Sequence, residues 1–113
     1  MAFQRFVQKG RGYSPKISIW TRGQIGFNRG AVKKLGVQNY GYAVLFYDPD
    51  RSAIGIKLTN DQQEEGATKI IKGKTGAFIS AKAFVDYYDI PHQKTKKYDV
   101  AYDEEDEMYI VQL

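Results

Sequence analysis

The sequence contains no cysteine and only one histidine, one tryptophan and three prolines among its 113 residues. The lack of cysteine excludes disulfide bonds, thiolate chemistry and zinc sites built on sulfur. No apolar run approaches the roughly 20 residues needed to span a bilayer, and the N-terminal residues lack the apolar block of a secretion signal. We therefore expect no contact with membranes and a cytoplasmic location.

Acidic residues are also missing from the first forty positions, which carry eight lysines and arginines. Residues 41–66 then have a net charge of −3, residues 67–84 have +4 with no acid, and residues 85–113 have −5. The overall charge of +4 thus conceals alternating basic and acidic segments. This alternation indicates an internal repeat. Basic segments without carboxylates suit phosphate contact, because each neutralised phosphate releases counterions.

The two halves of the chain align at an offset of 52 residues, which places Asn28 on Ser80, and further on at an offset of 55. Apolar periodicity predicts in each half two short strands around a turn, one short helix and a second hairpin. The predicted elements of the first half span 16–20, 24–27, 28–36, 41–47 and 53–58. Those of the second half span 68–72, 76–79, 80–88, 97–102 and 107–112.

These patterns predict an α+β fold in which a tandem pair of hairpin-helix-hairpin units forms a single-chain pseudo-dimer with a mainly antiparallel sheet. Residues 1–15 are expected to form a basic N-terminal arm. Residues 16–113 are expected to form one globular domain, with similar units at 16–60 and 67–113. An approximate two-fold axis between such units would make equivalent surface residues partners.

Residues 22–37, with the sequence RGQIGFNRGAVKKLGV, resemble the swapped-hairpin core of AbrB-type transition-state regulators and MazE-type antitoxins. The resemblance covers residues 17–58, and a weaker second copy covers residues 68–113. Asn28 stands where that family usually has proline, and Gly30 where it usually has an acid.

The resemblance implies a DNA-binding function, because the family binds DNA as intertwined homodimers with basic residues of the first hairpin and its turn on the DNA. Arg22 is the residue that best matches the DNA-contacting positions of the family, followed by Arg29. Lys74 carries over if the second half is a copy of the first.

We predict a nucleic-acid interface on one basic face drawn from both halves. Its expected residues are Arg11, Lys16, Arg22, Gln24, Arg29, Lys33, Lys34, Lys72 and Lys74. Most should contact phosphate, while Arg22 and Gln24 can pair with base edges. Helix N-termini at Asn28 and Ser80 are expected to offer further N–H groups to phosphate. The expected partner is double-stranded DNA, in a regulator-like or architectural role.

The remaining signals are weaker. His92 is the only histidine and no nucleophile stands at a recognisable spacing from a base, so we expect no enzyme activity, catalytic residue, cofactor or small-molecule substrate. The acidic clusters at 48–50 and 103–107 fall on predicted turns, where aspartate is favoured, and predict no metal site. Trp20 is expected in the core, although stacking on bases is open to it.

A second class of function fits the charge alternation almost as well. The chain is then a protein-interaction or self-assembly module, without nucleic acid. The basic half of one copy would contact the acidic hairpins of another and form a homo-oligomer.

Overall fold

The computed structural model describes residues 14–113, which form nine strands, two short α-helices and one 3-10 turn. The strands are β1 (Lys16–Ile19), β2 (Gln24–Phe27), β3 (Tyr42–Asp48), β4 (Ala53–Thr59), β5 (Thr68–Lys69), β6 (Ile71–Lys72), β7 (Ala77–Ser80), β8 (Lys96–Asp103) and β9 (Met108–Gln112). The helices are α1 (Arg29–Leu35) and α2 (Lys82–Tyr87), and the 3-10 turn is Val37–Asn39. Neither of these helices is long and apolar enough to cross a bilayer. Arg11 and most of the predicted arm lie outside the described residues.

All nine strands belong to one antiparallel sheet with the order β5-β3-β4-β9-β8-β1-β2-β7-β6. Its two edge strands, β5 and β6, are consecutive in the chain and separated only by the buried residue Ile70. On the other side, the first half of β8 pairs with β1 and its second half pairs with β9. The sheet therefore curls into a nearly closed barrel.

The barrel is filled by the apolar residues that alternate along its strands. In the pair formed by β2 and β7, Ile25 lies opposite Ile79 and both are fully buried. The helices close the two ends of the barrel, because α1 follows β2, α2 follows β7, and these strands run in opposite directions. Leu35 of α1 and Val85 of α2 extend the same core.

The predicted α+β fold class is wrong, because the chain is mostly β and its two helices have only seven and six residues. Each predicted element lies within two residues of its expected boundaries, except that the predicted strand at 68–72 is two strands, β5 and β6, separated by Ile70. The prediction failed at the assembly of these elements, since four of the eight strand pairings join the first half of the chain to the second. A two-stranded ribbon buries too little surface to be stable alone. The hairpins of both halves are therefore interleaved in a single sheet rather than packed as a tandem pair.

The two helix starts differ from each other. Asn28 caps α1 as predicted, with its side-chain oxygen accepting the N–H of Ala31 at 2.8 Å. Ser80 does not cap α2, because the Ala81 N–H donates to the Gly23 carbonyl at 3.0 Å and keeps Ser80 in β7. The helix α2 thus begins after Ala81, with no side-chain cap.

We expect Gly76→Ala to destabilise the barrel, because an added Cβ would lie 2.7 Å from the Phe27 carbonyl oxygen. Relief requires a backbone shift, which typically costs about 1–3 kcal/mol. Gly73→Ala is the matched control in the same turn, since its Cβ would find its nearest neighbour at 3.5 Å. Denaturant unfolding should give the lower free energy of unfolding for Gly76→Ala, and equal values for the two variants would contradict this packing.

Candidate nucleic-acid interface

Helix α1 presents only cations to solvent. Its buried side comprises Gly30, Ala31, Val32 and Leu35, and its exposed residues are Arg29, Lys33 and Lys34. Arg29 and Lys33 are one turn apart, a like-charge spacing that weakens a helix by a few tenths of a kcal/mol. The helix contains no acid that would offset this repulsion. Lys33 and Lys34 lie in the last turn, where the helix dipole favours cations, whereas Arg29 at the first position has no such support.

The hairpin formed by β6 and β7 brings further cations to the same end of the barrel. The Lys72 ammonium donates to the Gln38 carbonyl, 3.2 Å away, just beyond the end of α1. Close contact of Gly76 with Phe27 holds the hairpin turn, which includes Lys74, against the start of α1. The exposed Lys69 lies on β5 beside this hairpin, across from Tyr42. We call the resulting set the α1 surface, and it consists of Arg29, Lys33, Lys34, Lys69, Lys72 and Lys74.

No residue of the α1 surface forms an ion pair with an acid of residues 14–113. The ion pairs of lysine and arginine in this region are Lys16–Asp99, Arg51–Asp48, Lys57–Glu64 and Lys82–Asp86. Lys16–Asp99 lies beside the start of α1, because the Lys16 backbone N–H donates to the Asn28 side-chain oxygen at 3.0 Å. The hydrogen bond from Lys57 to Glu64 raises the pKa of the lysine and lowers that of the carboxyl. The acids of these four pairs are thus engaged by cations that do not belong to the α1 surface.

The predicted residues divide between the two ends of the barrel. Gln24 lies opposite Ser80 at the α2 end, and Arg22 lies in the adjoining turn between β1 and β2. The Lys74 turn is at the opposite end of the same strand pair, roughly 20 Å away at about 3.3 Å per residue. The predicted residue Lys16 belongs to the α1 end, but its ammonium is held by Asp99.

An acidic turn borders the α1 surface. Glu107, the last residue of the turn between β8 and β9, lines a cavity of about 210 Å³ together with Leu35 at the end of α1. Within this turn, the Asp103 carboxylate accepts a hydrogen bond from the N–H of Glu105 at 2.9 Å. The cations of α1 therefore lie between this turn on one side and the β6–β7 hairpin on the other.

The α2 end has a different electrostatic character. Lys82 donates to Asp86 at 2.6 Å, and this hydrogen bond lowers the pKa of the Asp86 carboxyl. The Nε2 atom of His92 is 3.5 Å from Asp86, while its Nδ1 atom is 2.9 Å from the Ile90 carbonyl oxygen. His92 and Asp86 line a groove of about 830 Å³. Among the described residues, no group of three His, Asp or Glu side chains is placed to hold a metal ion.

Two features of the structure were not predicted from the sequence. Lys69 was not selected, although it begins the acid-free basic run at 67–84. Trp20 does not belong to the buried core but lies partly buried on the outer face of the barrel, with its ring across Gly26. Strand alternation could have placed it there, because the core residues Ile17 and Ile19 of the same predicted strand direct Trp20 to the outer face.

The chain matches no protein-family model, no curated protein and no solved structure. The resemblance of residues 22–37 to AbrB-type and MazE-type proteins therefore stays a prediction based on those residues alone.

The ion pair between Lys82 and Asp86 at the α2 end can be tested by measuring the pKa of the Asp86 carboxyl. Lys82→Met removes the hydrogen bond that lowers the Asp86 pKa, so this pKa should rise toward the ordinary aspartate value. Carboxyl carbon shifts followed by NMR between acidic and neutral pH measure it. Lys94→Met is the control, because it removes a lysine of the same groove that does not contact Asp86, and it should leave the Asp86 titration unchanged. A Lys82→Met protein with an unchanged Asp86 pKa would contradict the ion pair.

Proposed function

We propose that this protein binds nucleic acid, with double-stranded DNA as the partner, by docking the α1 surface on the phosphate backbone. The observation that carries the proposal is the grouping of six lysines and arginines on one helix and the adjacent strands, none of them ion-paired within residues 14–113. Each such cation that neutralises a phosphate adds affinity through counterion release.

The geometry also gives the predicted residues of the other end a role. A distance of roughly 20 Å between the Arg22 and Lys74 turns corresponds to about six base pairs at 3.4 Å per pair. Arg22 and Gln24 then reach a second segment of the same duplex, where both side-chain types can pair with base edges. A regulator-like or architectural role follows, with most of the affinity independent of sequence.

The test compares two double variants that remove the same charge. Lys33→Gln with Lys34→Gln alters the α1 surface, whereas Arg51→Gln with Lys57→Gln removes two cations that are ion-paired elsewhere. Anisotropy of a labelled duplex of about 30 base pairs, with salt stepped from about 50 to 300 mM, gives the slope of log affinity against log salt. The slope should shrink by about two for the first variant and stay near the wild-type value for the second.

Equal losses in both variants would mean that net charge, and not the α1 surface, governs binding. Absence of binding by the wild-type protein at about 50 mM salt, where phosphate contacts are strongest, would refute the proposal outright.

One observation favours the self-assembly alternative. Phe46 is 42% exposed on the outer face of the β3–β4–β9–β8 part of the sheet, and Met108 and Ile110 line the same cavity. Asp106 also lines this cavity, as do Asp48 and Arg51, which pair with each other. The patch therefore has an apolar centre with one acid, Asp106, that forms no ion pair within residues 14–113. Such a patch suits the basic surface of a second copy.

If copies associate in this way, sedimentation velocity should detect oligomers at low salt that dissociate as salt is raised. Phe46→Gln should shift the distribution to monomer without altering DNA affinity. A wild-type protein that stays monomeric at low salt would exclude this alternative and leave the DNA proposal intact.

A further inference from the structure

Three apolar side chains form a strip on the outside of the barrel. Phe78 and Ile71 are opposite each other on β7 and β6, and Phe78 is also opposite Gly26 on β2. The ring of Trp20 covers Gly26, and its centroid lies 5.9 Å from that of Phe78 at an interplanar angle of 53°. We call Trp20, Phe78 and Ile71 the outer aromatic strip.

Core packing does not account for this strip. The residues that fill the barrel from the same strands are their inward neighbours, among them Ile25 and Ile79. Trp20 and Phe78 are partly buried, and Ile71 is 45% exposed. Gly26 is what allows the indole to lie on the sheet, because a Cβ there would come within 2.5 Å of the Trp20 Cζ2 atom. The sheet thus holds an aromatic plane against its solvent face.

The surroundings of the strip are basic. Arg22 follows Trp20 in the turn, and Lys97 of β8 lies opposite Ser18 on the same outer face. Neither cation forms an ion pair with the described residues. The acid on this face is Asp99, and its carboxylate is engaged by Lys16. An aromatic plane with unpaired cations at its margins is the combination that single-stranded nucleic acid recognises, by stacking of bases and neutralisation of phosphates.

We propose that the outer aromatic strip is a stacking platform for unpaired bases, so that the protein prefers nucleic acid with a single-stranded segment. This inference rests on the proposed function, because the strip borders the α1 surface at the β6–β7 hairpin, where Ile71 and Phe78 are paired and the turn contains Lys74. The strip also lies between the two groups of predicted residues, with Arg22 and Gln24 at one end and Lys74 at the other. It joins them into one path for a polynucleotide strand.

The chain has a single tryptophan, so its intrinsic fluorescence reports on the strip directly. Unlabelled oligothymidine and oligouridine of about 12 nucleotides, a length within the usual range for such sites, are titrated into the wild-type protein at low salt. A duplex of the same length is titrated in parallel. We expect saturable quenching by the single strands, as a base stacks on the indole, and much weaker quenching by the duplex.

Phe78→Leu keeps an apolar side chain beside Trp20 but removes the second ring. It should lower the affinity for the single strands about tenfold, the scale set by loss of one base–aromatic stack. Tyr87→Leu is the matched control, because it removes an exposed ring of α2 that belongs neither to the strip nor to the Phe46 patch. Its affinity should equal that of the wild type. Far-ultraviolet circular dichroism and the thermal midpoint establish that both variants are folded.

The outcomes separate the two proposals. Single-strand binding without quenching, or equal affinity of the Phe78→Leu and wild-type proteins, overturns the stacking platform. Salt-dependent duplex binding with no response to either single strand also overturns it and leaves the proposed function standing. Failure of duplex and single strands alike overturns both. Quenching by oligothymidine or oligouridine, or by both, supports the platform.

Discussion

The antiparallel pairing of β2 with β7 determines where everything else in the molecule lies. It joins the two halves of the chain next to the edge strand β6 and buries Ile25 against Ile79. Because the two strands run in opposite directions, the helices that follow them close opposite ends of the barrel, and the turns that precede them also separate. The basic surfaces at the two ends, and the outer strip between them, are consequences of this one register.

The two ends of the barrel use the same scaffold for different electrostatics. At one end, the exposed residues of α1 are all cations and its neighbours add three more. At the other end, Lys82 is neutralised by Asp86 one helical turn away. The two helices also differ in packing, since α1 buries Gly30, Ala31, Val32 and Leu35 whereas Val85 is the one buried residue of α2. The two ends therefore differ both in how the helix is packed and in the charges that it carries to solvent.

Local structure was predictable from the sequence because it depends on neighbouring residues. The cap at Asn28, the apolar alternation of β3 and β4 and the acidic hairpin turns are all short-range patterns. The pairing of strands from the two halves depends on residues that are far apart in the sequence. The α+β prediction missed it because the pattern of a strand specifies which face is buried but not which strand lies alongside. The same limit explains the site. Runs of lysine and arginine identified most of the cations of the α1 surface, whereas the strip at Trp20 and Phe78 required knowledge of which strands lie side by side.

The closure of the barrel has a consequence for how the chain is made. Lys16 is paired with Asp99, 83 residues later, and β4 finds its second neighbour only in β9. During synthesis the first half emerges with the edges of β1 and β4 unpaired, and no local hairpin can cover them. Contacts of such sequence separation slow folding, and uncovered strand edges favour association between chains. The barrel becomes complete only after β9 has left the ribosome, so its synthesis includes an obligatory period of exposed β edges.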